Sequence, residues 1–196
     1  MRFLGAIRAI YSKLHDELPS WLTYHDLAHA KDVYRMTRHI GRSEGIDNEK
    51  LKLILTAALL HDAGFITGND QHEKRSCVIA RKMLPQFEYT ATDIETVERL
   101  IMATTIPHQP NTLEEKILCD ADLDYLGRND FVDRAKQLFI ELKYLGIVEN
   151  NLDWNKIQVK FLNQHQYFTS TAIQARMSKK NEHLKDIIRE LDESEE

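Results

Sequence analysis

From Phe3 to Leu191 the apolar residues of this chain recur three and four positions apart, and no segment alternates apolar and polar residues with a period of two. The first spacing lays apolar side chains along one face of a helix, whereas a half-buried strand needs the second. The chain is therefore expected to be all-α, with no sheet of consequence. Seven Gly and four Pro in 196 residues agree, because an all-β design needs many tight turns. Helices are expected from about Phe3 to Glu17, Leu27 to Ser43, Asn48 to Asp62, Gln71 to Leu84, Asp93 to Ala103, Leu113 to Asp124, Asp130 to Leu145, Trp154 to His165 and Ser170 to Leu191. Thr92 or Asp93 is the expected N-cap of the fifth, and the acidic end LDESEE is expected to fray.

No stretch is polar and flexible enough to read as a linker, so residues 1–196 are expected to form a single helical domain. Its motifs fall at about 20–130, and the helices of 130–193 complete the bundle or mediate self-association, as in a homodimer. With 42% apolar and 29% charged residues the composition is that of a globular protein. The 26 Lys and Arg against 31 Asp and Glu give a net charge of −5, without the basic excess that grips a nucleic-acid backbone. A small substrate fits better than a polymer. Cys77 and Cys119 are far apart and not in a CxxC pair, so both are expected as buried thiols in a reducing cytoplasm. No apolar run approaches membrane-spanning length, and the first residues carry charges too early for a signal peptide.

Three short stretches carry chemistry. Tyr24-His25-Asp26-Leu27-Ala28-His29 places two histidines four apart at a helix start, where both imidazoles can face one way. His61-Asp62 follows the apolar run LILTAALL, so two polar side chains sit where the backbone enters the core. Asp120-Ala121-Asp122 lies within the apolar ILCDADLDYL, which turns one of its acids inward. Burying such groups is costly unless something pairs with them. A divalent cation does so, because carboxylates and neutral imidazoles satisfy it and its charge offsets their desolvation. Two His and two Asp suit an octahedral ion with open water positions better than a closed tetrahedral zinc site. Open positions allow water to be acidified and a substrate oxygen polarised.

The order His … His-Asp … Asp resembles the HD superfamily of metal-dependent phosphohydrolases, over about residues 20–130. The resemblance implies an HD-type helical bundle and a metal held by His29, His61, Asp62 and Asp122. Tyr24-His25-Asp26-Leu27-Ala28-His29-Ala30 with Asp32-Val33 is similar to the YHNxxHAxDV motif of the cyclic-nucleotide phosphodiesterases, with Asp26 in place of Asn. That similarity implies His29 as the ligand and His25 as proton donor to the leaving group. The stretch Glu115 to Asp122 looks like the DAD segment of small bacterial HD hydrolases, which implies Asp122 as the ligand and Asp120 as the alternative. The two acids, two residues apart, do not share a helix face.

His72 and His108 stand where some HD proteins place two further histidines. The resemblance makes them ligands of a second ion, with Asp62 bridging, or catalytic groups; the alternative is two surface loop histidines. Either His25 or His108 could protonate the leaving oxygen. His15, His39 and His183 are expected on solvated helix faces, and His165 in the core or at a pocket rim. Lys31, Arg35, Lys74 and Arg75 lie near the motifs and could steer a phosphate, or simply be solvated. The implied activity is hydrolysis of a small phosphate mono- or diester, a nucleotide above all, with Mn, Fe, Co, Ni or Mg as cofactor. Three other readings stay open: a di-iron oxygenase of the HD type, a non-catalytic nucleotide-binding or signalling module, and a purely structural helical protein whose core histidines are satisfied.

Overall fold

The structure, a computed structural model, describes residues 1–195. It is all-α: helices α1 (Phe3–Glu17), α2 (Leu27–Ser43), α3 (Asn48–Leu60), α4 (His72–Met83), α5 (Ala91–Ala103), α6 (Leu113–Asp122), α7 (Phe131–Tyr144), α8 (Asn151–Gln164) and α9 (Ser170–Glu195). Short 3₁₀ turns at Ala63–Ile66, Leu84–Phe87 and Asp124–Gly127 link some of them. No strand occurs among the described residues.

α3 is the central element. Asp47 caps it, accepting from the backbone N–H groups of Glu49 and Lys50 at 3.0 Å each. From Ile54 to Leu60 every residue is buried, as LILTAALL requires when other helices cover several faces. α1, α2, α4, α5 and α6 supply the rest of this first core. A second apolar cluster gathers Leu123, Tyr125, Leu126, Phe131, Trp154, Leu162 and Ile187 from the 124–127 turn, α7, α8 and α9. Tyr24, just ahead of α2, belongs to that second cluster, so the first motif lies where the two cores meet.

The structure departs from the sequence expectations in particular places. α5 begins at Ala91, not Asp93, because Thr90 is the N-cap: its hydroxyl accepts from the Asp93 N–H and the Asp93 carboxylate accepts from the Thr90 N–H. α8 begins at Asn151 behind an Asn150 cap, earlier than Trp154. The 191–195 part of the acidic end continues α9 rather than fraying, and Glu196 lies outside the described residues. His183 is not solvated; it is buried, stacked on Phe131 with ring centroids 4.5 Å apart, and its Nε2 lies 2.8 Å from the Arg128 carbonyl. His15 and His39 are exposed as expected, and both cysteines are buried free thiols. No helix among the described residues is long and apolar enough to cross a membrane.

Candidate metal centre

His61 caps the C-terminus of α3, and Asp62 follows at the start of the 3₁₀ turn. The His61 Nδ1 lies 2.9 Å from the Ala58 carbonyl, to which it donates, so Nε2 is the nitrogen turned toward the site. Ser76 of α4 clamps this corner, donating to the His61 carbonyl at 2.6 Å and accepting from Gly64 N–H at 2.8 Å. Gly64 is required here: a Cβ would sit 1.9 Å from the His72 carbonyl oxygen. That close approach lays the start of α4, and with it His72, against the site.

His29 enters from the first turn of α2. Asp26 caps that helix, its carboxylate accepting from the His29 N–H at 2.8 Å. An Asp serves this role as well as an Asn. Asp122 enters from the last turn of α6. The four side chains converge: His29 Nε2 lies 3.4 Å from Asp62 Oδ2 and 3.2 Å from Asp122 Oδ1. His61 Nε2 lies 3.0 and 3.2 Å from the same two oxygens. His29, His61 and Asp122 each offer one donor atom within 4.8 Å of the others, the spacing of ligands around one ion. His29 is 4%, His61 1% and Asp62 8% exposed, yet His29 Nε2, His61 Nε2 and Asp62 Oδ2 have no hydrogen-bond partner. Orphaned buried polar atoms are rare. Three aimed at one point fit a divalent cation, and the mixed imidazole and carboxylate donors suit a transition ion.

The electrostatics agree. Burial works against the charged form of His61, but Asp62 and Asp122 overcome it and hold the imidazole well above its ordinary range. Burial likewise opposes ionisation of Asp122, and His61 and His29 outweigh it, leaving the carboxyl well below its usual range. Two anions so placed want positive charge. Metal-stripped protein is therefore expected to melt lower than loaded protein. Metal at 100 times its Kd adds about 2.7 kcal/mol by mass action, and each kcal/mol moves Tm by about 2–4 °C at this size. Differential scanning calorimetry with and without chelator reads the shift; superimposable curves would mean these acids do not gather round an ion.

The two acids of the DAD stretch divide as the helix face requires. Asp120 points away from the site and accepts from the N–H groups of Phe168 and Thr169 and from the Thr169 hydroxyl, at 2.7–3.2 Å. It fastens the approach to α9. Burial pushes its carboxyl up to about 6, against the pull of those donors.

His72 and His108 flank the cluster without joining its tightest set. His72 Nε2 is 3.4 Å from Asp62 Oδ1, and the ring stacks on Phe65 at 4.3 Å. His108 Nε2 is 3.9 Å from Asp122 Oδ2 and 3.1 Å from the Thr104 carbonyl, while its Nδ1 is buried without a partner. Neither is a loop histidine in free solvent. His165 stands nearby at the rim of a small cavity shared with His108, and burial pushes its imidazole down to about 3.

His25 precedes the α2 cap, so helical periodicity does not aim it. It also stacks on Phe65, centroids 4.5 Å apart, and its Nδ1 pairs with the carboxylate of Glu141 on α7. Glu141 is 1% exposed and also accepts from the N–H groups of Tyr24 at 2.9 Å and His25 at 3.1 Å. Burial opposes its ionisation, but the His25 contact and these amides hold the carboxyl below its ordinary value. Sequence reasoning missed Glu141. It lies in an ordinary amphipathic helix, and the one available signal was an acid among the apolar positions of FIELKYL.

His25, Asp62, His72 and Asp122 border a cavity of about 420 Å³. Lys31, Arg35, Lys74 and Arg75 do not line it. Arg35 is held by Asp32, Arg75 by the carbonyls of Asp70 and Thr67, Lys74 by Gln71, and Lys31 lies over the Tyr11 ring.

A family model described as the HD domain matches residues 26–124, half of the chain. No curated protein matches it. Among solved structures, Bacillus subtilis YpgQ in complex with ADP is 22% identical, with a TM-score of 0.68 over 99% of this chain and 97% of that one. A protein from Lactobacillus plantarum is 18% identical, with a TM-score of 0.70 over 97% and 98%. A predicted HD superfamily hydrolase from an uncultured Thermotogales bacterium is 19% identical, with a TM-score of 0.65 over 95% and 92%. At these identities the likeness is one of fold.

Proposed function

This chain belongs to the HD-domain family, and we propose that it is a metal-dependent phosphohydrolase acting on a small phosphate mono- or diester, a nucleotide above all. One observation carries the reading: two imidazole nitrogens and two carboxylates converge at 3.0–3.4 Å, and three of those buried atoms lack hydrogen-bond partners. ADP in the B. subtilis neighbour favours a nucleotide. His29, His61, Asp62 and Asp122 hold the ion, and His72 and His108 are placed to serve a second. A divalent cation there supplies the Lewis acidity that polarises a phosphoryl oxygen and makes water a nucleophile near neutral pH.

The chain's own residues do the rest. His25 lines the cavity and has Nδ1 committed to Glu141, so Nε2 is the nitrogen that gives a proton to the leaving oxygen. Glu141 is a positioning residue: its carboxylate fixes the ring through Nδ1. Phe65 packs against both the His25 and the His72 rings, whose own centroids lie 6.3 Å apart, and so helps to fix both. Because ligands and cavity draw on both apolar clusters, residues 1–196 work as a single domain.

The test is a screen of metal-stripped protein with Mn²⁺, Mg²⁺, Co²⁺ or Ni²⁺ against nucleotides and generic phosphoesters, followed by phosphate or nucleoside release. Turnover with at least one ion and none with chelator is expected. Iron-dependent O₂ uptake without phosphoester turnover would instead favour the oxygenase reading for which His72 and His108 leave room.

A further inference from the structure

The cavity beside the metal centre has two unlike ends. Acids and imidazoles stand at the metal end. At the other, inner end, between the 124–127 turn, α7 and α8, the wall is Tyr125, Phe131, Leu142, Trp154, Phe161 and Leu162. No Lys or Arg lines any part of it. The basic groups nearby have partners: Arg128 pairs with Asp32 and Asp130, Arg134 with Gln137 and Asp130, and Lys180 with the carbonyls of Leu162 and His165. A second anionic group of a substrate would find no counter-charge in that inner part, and burying it unpaired is costly.

One uncharged polar side chain, Gln158, stands among the inner wall residues. It is 9% exposed, and one amide hydrogen is used on Asn155 Oδ1 at 3.1 Å. Its carbonyl and second hydrogen remain for a ligand. A hydrocarbon chain could not satisfy them, and a site with buried polar groups rejects a ligand that leaves them unpaired. A planar heterocycle meets both demands, with faces for the aromatic walls and an edge for the amide. Its size fits, since small-molecule sites run from about 300 to 1,000 Å³. Trp154 and Gln158 are four apart on α8 and so share a helix face.

We propose that the pocket between α7 and α8 is the subsite for the nucleobase of the substrate, with Trp154 and Gln158 as its specificity-determining residues. The proposal rests on the phosphohydrolase reading only for what binds at the metal end. These walls come from residues after 124, beyond the segment that the HD domain model matches.

Binding of nucleosides, which carry no phosphate and need no metal, separates the two ideas. The chain has two tryptophans, and Trp21 stacks on Tyr144 elsewhere. A W21F variant therefore makes Trp154 the sole tryptophan, which can be excited selectively at the red edge of its band. Adenosine or cytidine is expected to quench it saturably and ribose not at all. Gln158→Leu, or Ile157→Phe, which narrows the pocket from a partly exposed position, should weaken nucleoside binding tenfold or more. In turnover, nucleoside phosphates should exceed ribose 5-phosphate in kcat/KM by a similar factor. Quenching by dodecanol but not by nucleosides, or equal turnover of ribose 5-phosphate and nucleotides, would overturn the subsite and leave the hydrolase standing. Saturable nucleoside quenching with no phosphoester turned over would uphold the subsite and remove the hydrolase.

Discussion

Asp62→Ala is expected to purify without its metal and without hydrolytic activity. Asp62 Oδ2 is buried, has no hydrogen-bond partner and lies within 3.4 Å of the His29 and His61 imidazoles. With the proposed ligand set, its loss removes a ligand and a negative charge together, so an ion would lose both coordination and charge balance. Asp122→Asn should behave alike, because its Oδ1 lies 3.2 Å from each imidazole. Asp120→Asn is the control. Its oxygens serve Phe168 and Thr169, so that variant should keep its metal while the protein becomes less stable. Inductively coupled plasma measurement of the three proteins decides the matter. Full metal in Asp62→Ala, or metal lost only in Asp120→Asn, would overturn the ligand set.

His25→Ala should keep the metal and still lose rate by about 10²–10⁴-fold on alkyl phosphates, the usual contribution of general acid catalysis. The loss should shrink on nitrophenyl phosphate, whose leaving group departs without a proton. Glu141→Gln should repeat the pattern in milder form: metal kept, rate lost on the alkyl ester, rate largely kept on the nitrophenyl ester. A merely structural role for Glu141 would slow both substrates alike. His25→Ala with full activity on alkyl phosphates would move the acid role to His108, whose ring lies 3.9 Å from Asp122.

Much of this was legible beforehand for identifiable reasons. Helical periodicity gave α1 and α2 the bounds the structure has, Phe3–Glu17 and Leu27–Ser43. His61, Asp62 and Asp122 stood out because a polar side chain behind LILTAALL or inside ILCDADLDYL needs a partner. The choice of Asp122 over Asp120 came from family resemblance; in the structure Asp122 lies beside His29 and His61, and Asp120 is bonded to Phe168 and Thr169. Thr90 was passed over as a cap because Thr92 and Asp93 are equally good cap residues, and only the reciprocal bonds with Asp93 separate them.

What the sequence determined by itself is what depends on near neighbours along the chain: helices, caps, and polar residues too deep in apolar runs to be without purpose. What only the tertiary structure decided depends on distant segments meeting. Glu141 reaches His25 across 116 positions, and no local pattern marks that acid apart from others on amphipathic helices. His183 reads as a solvated residue until Phe131 covers it. Trp154, Gln158 and Phe161 have the spacing of an ordinary core stripe. They line a cavity instead, because α7 and the 124–127 turn stand far enough from α8 to leave about 420 Å³ between the apolar walls and the metal ligands. Spacing along a helix says which side chains share a face, and packing alone says what that face meets.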